Sequence, residues 1–151
     1  MTYFTTFASP LGTLTLTSDG ERLSGLFLDE IPTAGMIEDF RTFKPAIEQI
    51  RAYLAGDLKS FTIPLKLQGT PFQETVWLQL QRIDYGATAS YQDVAKQISK
   101  PRAVRAVGSA NGRNRIAIVV PCHRVIAANG ALGGYNGGLW RKEWLLNLER
   151  R

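Results

Sequence analysis

Hydrophobic and polar residues alternate near the N-terminus, which is the pattern of β-strands with one buried face. Residues 13–17 alternate strictly between threonine and leucine, and residues 3–7 are rich in aromatic and β-branched side chains. The pair Asp19-Gly20, which precedes a further apolar run at residues 23–28, is a strong hairpin signal. The N-terminal region is therefore predicted to form a small antiparallel sheet.

The pattern then changes to helical spacing. Apolar residues within 47–54 recur at intervals of three and four and predict a helix that Gly56 can end. Residues 61–67 alternate again, but Pro64 limits that stretch to an edge strand or an extended linker. Because this region contains no nucleophile, metal-ligand set or phosphate-binding loop, residues 1–69 are predicted to be a supporting domain.

A second domain, residues 70–151, is predicted to begin after Gly69. Thr70 and Pro71 supply a capping residue and a proline at the first helical position, and Gln73 completes a capping box. The apolar stripe of this helix is predicted to contain Phe72, Val76, Leu80 and Ile83.

Two further short helices follow in this basic region. Ser90 with Asp93 predicts the start of one helix, and residues 99–101 predict its end. The next helix is predicted for residues 102–110, which gives two helices joined by a tight turn, a helix-turn-helix pattern. A last helix is predicted from residue 140 to about residue 150. The fold class is thus α+β, with a mostly helical second domain.

One face of the helix at 102–110 is built of small residues. Ala103, Ala106 and Ala110 recur at spacings of three and four, with Arg102 and Arg105 between them. Small residues permit close approach, so this face fits either a DNA groove or a tightly packed neighbouring helix. The spacing alone does not choose between these two arrangements.

The basic residues are concentrated in the C-terminal half. The chain has a net charge of +5. Residues 1–69 carry six Lys and Arg against eight Asp and Glu, whereas residues 70–151 carry twelve against five. Such an excess favours a polyanionic partner, with nucleic acid as the first candidate and an anionic membrane surface as the second. Ordinary solubility is the alternative explanation.

The candidate chemistry centres on Cys122 and His123, the only cysteine and the only histidine. One of each cannot form an internal disulfide or a Cys/His zinc cluster, so neither a metal nor a cofactor is expected. The apolar run at residues 116–120 predicts a buried extended segment that Pro121 closes. In such a segment neighbouring side chains point apart, so a bridging water would have to connect Cys122 to His123.

A thiol needs a base or positive surroundings to become a useful nucleophile. A carboxylate would in turn hold the imidazole, and Glu149, beside the apolar stripe of the last helix, is the candidate. A cysteine hydrolase would use the same pair of residues, and a helix-turn-helix regulator would use none of them. The Cys-His pair by itself leaves both of these functions open.

The region around the cysteine resembles the methylated-DNA-protein-cysteine methyltransferases, which repair O6-alkylguanine. The resemblance covers essentially all of residues 70–149, whereas the N-terminal sheet matches only in general pattern. The motifs that carry it are PCHRV at 121–125, GGYNGG at 133–138, KEWLL at 142–146, SY at 90–91, PRAVRAVG at 101–108 and Asn114.

The resemblance implies a catalytic set. Cys122 is implied to accept the alkyl group as a thioether, once per chain, with His123, a water and Glu149 as the relay that forms the thiolate. Tyr91 is implied to donate a proton to the leaving guanine, and Asn114 to brace the turn near the cysteine. O4-alkylthymine is a further candidate substrate.

The resemblance also implies a DNA-binding set and a base pocket. The second helix of a winged helix-turn-helix-like motif is implied to enter the minor groove of duplex DNA, with Arg105 as the finger residue. The DNA-binding set is Arg105, Tyr91, Ala103, Ala106, Arg102 and Arg124. The residues implied to line the pocket for the guanine base are Val125, Tyr135 and Asn136.

Two positions depart from the family pattern. Asn136 stands where some members have serine, and Asp84 replaces a proline that is common in a turn of the family. No stretch approaches the roughly 18 apolar residues of a membrane span, and the N-terminus lacks the pattern of a signal peptide. A monomer in the cytoplasm, with no membrane partner, is therefore expected.

Overall fold

The computed structural model describes all 151 residues and divides into two compact units. Unit 1 comprises residues 1–66 and 115–117, and unit 2 comprises residues 67–114 and 118–151. The late segment belongs to unit 1 because the Leu26 N–H donates to the Arg115 carbonyl at 2.9 Å, and the Ala117 N–H donates to the Leu26 carbonyl at 3.0 Å. Sequence patterning gave no sign of this return of the chain.

Unit 1 is built on a four-stranded sheet. Its strands are β1 (Tyr3–Ser9), β2 (Gly12–Ser18), β3 (Leu23–Phe27) and β4 (Ile37–Glu38). The strand order is β3-β2-β1-β4, and the β1-β2 and β2-β3 pairs are antiparallel as predicted. The unpredicted β4 pairs in parallel with β1. It is only two residues long, so it lacks an alternation that patterning could detect.

Helix α1 (Phe40–Leu54) covers this sheet, and it begins well before the apolar spacing that predicted it. The Asp39 side chain caps it by accepting from the Arg41 N–H at 3.1 Å. Further along, the segment around Pro64 is extended rather than a full strand. The Leu23 N–H donates to the Pro64 carbonyl at 2.8 Å, and the Lys66 N–H donates to the Leu23 carbonyl at 2.8 Å.

Unit 2 contains the remaining helices and the cysteine. Its elements are α2 (Pro71–Leu80), β5 (Ala89–Ser90), α3 (Tyr91–Gln97), α4 (Val104–Gly112), a short 3-10 helix (Cys122–Arg124), β6 (Val125–Ile126) and α5 (Leu139–Glu149). The predicted capping box of Thr70 with Gln73 is present, and Ser90 with Asp93 forms a second capping box at the predicted start of α3. Helix α2 ends at Leu80, so Ile83 lies beyond it although it is buried.

Helices α3 and α4 pack together as the predicted helix-turn-helix. Helix α4 begins two residues later than the pattern predicted, after a turn in which Ser99 has a φ of 62°. The Trp77 indole N–H of α2 donates to the Ala110 carbonyl of α4 at 2.8 Å, which anchors α4 from behind. No helix of the chain is both long enough and apolar enough to cross a membrane.

Candidate active site

Cys122 lies at the start of the 3-10 helix and is only 6% exposed. Its N–H donates to the Val120 carbonyl at 2.8 Å, and the Asn114 side-chain amide donates to the same carbonyl at 2.8 Å. Asn114 therefore braces the turn that carries the nucleophile. Residues 116–120 are buried for the most part, and Ile116 forms a β-bridge with Leu26. Residues 117–119 form a turn, so the prediction of an extended segment is wrong there.

His123 faces Glu149 rather than the thiol. Side chains of successive residues in a 3-10 helix point about 120° apart, so Cys122 and His123 diverge although the segment is not extended. His123 Nε2 lies 2.8 Å from Glu149 Oε2, and both side chains are buried. An ionised carboxylate can only accept, so Nε2 carries the proton in this pair. Burial lowers the pKa of His123, an effect that Glu149 opposes, and the ring is therefore a neutral base at pH 7.

The thiol itself is not a preformed thiolate. Burial raises the pKa of Cys122 above its ordinary value. A side-chain hydrogen bond from Asn114, the positive charge of Lys142 and the Tyr135 hydroxyl all act to lower that pKa, but burial is the largest effect. The sulfur therefore keeps its proton until a base accepts it.

Tyr91 lies against the glycine loop, which comprises residues 133–138. It is the first residue of α3, and the parallel pair β5-β6 sets the preceding Ala89 opposite Val125, just after the cysteine. A Cβ atom at Gly133 would come within 2.9 Å of the Tyr91 hydroxyl, so only glycine permits this approach. Burial and the neighbouring Cys122 raise the pKa of Tyr91, while a hydrogen bond from the Gly134 backbone lowers it. The hydroxyl thus remains protonated and can donate.

The three residues expected to line the base pocket differ in burial. Tyr135 is half-buried, and burial raises its pKa well above the usual value, as does the nearby Cys122. Val125 is fully buried, so only its main chain can take part in a pocket. Asn136 is exposed, and its side-chain amide donates to the Gly112 carbonyl. This bond ties the glycine loop to the end of α4.

The small-residue face of α4 is divided. Arg105 and Ala106 are exposed, whereas Ala110 is buried against α2. Arg102 is exposed but precedes the helix, and Ala103 is its half-buried N-terminal cap. Helix packing therefore accounts for Ala110, whereas the first half of the stripe is accessible and its contact with a DNA groove stays a prediction.

Arg124 does not fit its assignment to the DNA-binding set. It is only 7% exposed, and its guanidinium donates to both carboxylate oxygens of Glu149 and to the Ile83 carbonyl. All of these partners are internal, so the side chain has no reach toward an external phosphate. The assignment is corrected to an internal role.

Two models of one family match the chain. The model described as 6-O-methylguanine DNA methyltransferase, ribonuclease-like domain, matches residues 2–67, and the model of the DNA binding domain of the same family matches residues 71–151. The chain belongs to the 6-O-methylguanine DNA methyltransferase family. As a member it is a DNA repair enzyme, a methyltransferase that binds DNA, rather than a cysteine hydrolase or a helix-turn-helix regulator.

Relatives and solved structures agree with this family. A methylated-DNA–protein-cysteine methyltransferase of Mycolicibacterium paratuberculosis is 52% identical over 155 residues, covering 100% of this chain and 94% of the relative. The constitutive enzyme of Bacillus subtilis is 43% identical, covering 99% and 96%. The crystal structure of Mycobacterium tuberculosis OGT in complex with DNA is 48% identical, with a TM-score of 0.94 over 98% of this chain and 92% of that one.

Sequence reasoning missed Lys142 of this methyltransferase. The side chain is fully buried, and its ammonium donates to the Val125 carbonyl at 2.6 Å and to the Gly134 carbonyl at 3.2 Å. Burial lowers the pKa of Lys142 to about 8. One signal was available: Lys142 precedes Glu149 by seven residues, which is two helical turns, so both lie on one face of α5.

Asn111 was missed as well. It is 5% exposed on α4, and its amide donates to the Cys122 carbonyl at 3.4 Å. It lies one position after the buried Ala110 and four positions after the buried Val107. The small-residue stripe drew attention to the accessible half of the helix, so its buried polar residue was not considered.

Proposed function

We propose that Cys122 takes the alkyl group from O6 of guanine in double-stranded DNA and keeps it. The sulfur attacks the alkyl carbon, the bond from carbon to O6 breaks, and its electron pair remains on the guanine oxygen. The thioether is not readily displaced, so each chain acts once. The observation that carries this proposal is a buried thiol in the same compact unit as a buried His123–Glu149 pair.

His123 and Glu149 would supply the path for the thiol's proton. Because burial raises the pKa of Cys122, the proton must be accepted as the sulfur attacks. The neutral imidazole accepts it on Nδ1 through a bridging water, since Nε2 is engaged by Glu149. The carboxylate then stabilises the imidazolium that forms.

Tyr91 would serve the leaving group. Departure of guanine leaves negative charge at its oxygen or ring, and proton donation removes it. The Tyr91 oxygen accepts a hydrogen bond from the Gly134 backbone, which holds the phenol in place. The phenol proton therefore stays available for donation to the guanine. Tyr135 and the main chain of Val125 and Asn136 would line the pocket that receives the base.

Helix α4 would enter the minor groove. Its exposed face presents Arg105 and the small Ala106, with the half-buried Ala103 and the exposed Arg102 at its start. A thiol on a rigid turn can reach the alkyl carbon only if the nucleotide is swung out of the stack, which costs a few kcal/mol. The planar cation of Arg105 would occupy the vacated space and offset part of that cost. We propose that the protein binds DNA in this way as a monomer in the cytoplasm.

Transfer of a labelled methyl group tests the proposal. Duplex DNA with tritium in the methyl group of O6-methylguanine is mixed with the protein and with Cys122→Ser, and the label in protein is counted. The wild-type protein should take up the label and the variant should take up none. Equal labelling of the two proteins would rule out Cys122 as the acceptor.

A further inference from the structure

Arg124 lies behind the His123–Glu149 pair and holds the carboxylate at two points. Its Nε donates to Glu149 Oε1 at 2.8 Å, and its Nη2 donates to Oε2 at 2.9 Å. This two-point contact fixes the plane of the carboxylate as well as its position. Both residues are nearly excluded from solvent, so their charges act on neighbouring groups with little screening.

The turn between α2 and β5 holds the Arg124 side chain in place. Arg124 Nη1 donates to the Ile83 carbonyl at 2.6 Å, and the guanidinium carbon lies 5.8 Å from the centre of the Tyr85 ring. The Gly86 N–H approaches Glu149 Oε1 at 3.5 Å. The departure from the family pattern at Asp84 therefore falls in the turn that supports the relay.

We propose that Arg124 is the positioning residue of the proton relay: it aims Glu149 Oε2 at His123 and offsets the carboxylate charge, so that the imidazole stays neutral and can take the thiol's proton. The same oxygen, Oε2, accepts from both Arg124 Nη2 and His123 Nε2. An isolated buried carboxylate would instead draw a proton onto itself or onto the ring.

The charges around His123 give the direction of the effect. Glu149 and Lys142 face it from α5, and Arg124 and Cys122 come from its own segment. The α2-β5 turn contacts Arg124 and Glu149 through the Ile83 carbonyl, the Tyr85 ring and the Gly86 N–H. Burial lowers the pKa of His123, Glu149 opposes this, and Arg124 and Lys142 lower the pKa further. Loss of the Arg124 charge therefore raises the pH at which the His-Glu pair binds a proton, whichever member takes it.

A proton on that pair blocks the relay. The thiol's proton then has no acceptor, so alkyl transfer begins only at a pH where the pair has released that proton. The acid limb of the profile of rate against pH should consequently move to higher pH, by as much as the protonation of His123 does. A merely structural arginine would lower the amount of folded protein without moving this limb.

The test uses three variants and a histidine that is unique in the chain. Arg124→Gln removes the charge, Arg124→Lys keeps the charge without the two-point contact, and Arg82→Gln removes an exposed charge next to the same turn. Nitrogen NMR of His123 against pH reports its protonation without any substrate. Transfer from the free base O6-benzylguanine against pH reports the relay; only this second measurement rests on the proposed function.

We expect Arg124→Gln to raise the pH of proton uptake at His123 by about one unit or more, and to move the acid limb equally. Arg124→Lys should leave the titration close to that of the wild type but slow the transfer about tenfold, and Arg82→Gln should change neither. An unchanged titration in folded Arg124→Gln overturns the inference. If that variant does not fold, an undiminished transfer rate in Arg124→Lys overturns it. Failure of the wild-type protein to react would count against the proposed function alone, because the titration stands without it.

Discussion

The ammonium of Lys142 lies 2.6 Å from the carbonyl oxygen of Val125 and holds a charge inside unit 2. Burial lowers the pKa of this lysine from 10.5 to about 8. Between those two values the unfolded chain binds the proton and the folded chain does not. Folding stability contributed by Lys142 therefore rises with pH through this window.

Unfolding in urea at about pH 7.5 and about pH 9.5 checks this, with Lys142→Met as the comparison. The free energy of unfolding of the wild-type protein, relative to that of the variant, should increase by about 1 to 2 kcal/mol at the higher pH. The subtraction removes the contributions of other titrating groups. A difference that stays constant or shrinks with pH would mean that folding does not lower the pKa of Lys142.

Replacement of Gly133 by alanine should impair the site through Tyr91. The new Cβ would lie 2.9 Å from the Tyr91 hydroxyl, and the φ of 72° adds backbone strain of about 1 to 2 kcal/mol. Gly130→Ala is the matched control, because Gly130 has a φ of 87° and nothing lies within 4 Å of its added Cβ. Transfer from O6-benzylguanine should fall much further in Gly133→Ala than in the control. Equal losses would show that only backbone strain matters.

Much of this architecture was predictable because its signals are local. The capping box of Thr70 with Gln73 and the hairpin at Asp19-Gly20 depend on residues a few positions apart, and both are present. Pairing of residues 115–117 with β3 was not predictable, since it joins segments about ninety residues apart with no alternation in the later one.

The functional site also has a part that the sequence predicts and a part that it does not. Motif identity pointed to Cys122, His123 and Glu149, and the structure contains the His123–Glu149 contact, while the relay to Cys122 stays a prediction. Arg124 was assigned to the DNA-binding set from the resemblance, whereas its counter-ion is the internal Glu149. Charge in a sequence does not specify which way a side chain points.

Removal of the Arg105 side chain should change the reaction rates of two substrates to different extents. Arg105 is exposed on α4, and its proposed task is to fill the space left by an extruded nucleotide. Arg105→Ala should slow repair of duplex O6-methylguanine severely and leave reaction with free O6-benzylguanine nearly unchanged, because no base must then be held out of a helix. Arg41→Ala, an exposed arginine of unit 1, serves as control. Equal losses on both substrates would place Arg105 in the fold or in activation of the thiol.

The alkylated protein should be less stable than the unmodified one. Cys122 is 6% exposed, so an added methyl group must displace its neighbours, and overpacking of this kind typically costs about 1 to 3 kcal/mol. Calorimetry after stoichiometric methylation should show a Tm lower by about 2 °C or more. Cys122→Ser carried through the same treatment controls for the DNA and buffer. An unchanged or higher Tm would argue against a close-packed sulfur.

A single, irreversible transfer to Cys122 is measured most directly by the mass of the intact protein. The protein is mixed with an excess of duplex containing O6-methylguanine, and its mass and the amount of repaired guanine are followed to completion. One methyl group per chain is expected, located on the peptide that contains Cys122, with one guanine restored per chain. Restoration of many guanines per chain, or a methyl group on any other residue, would contradict transfer to this cysteine as the repair reaction.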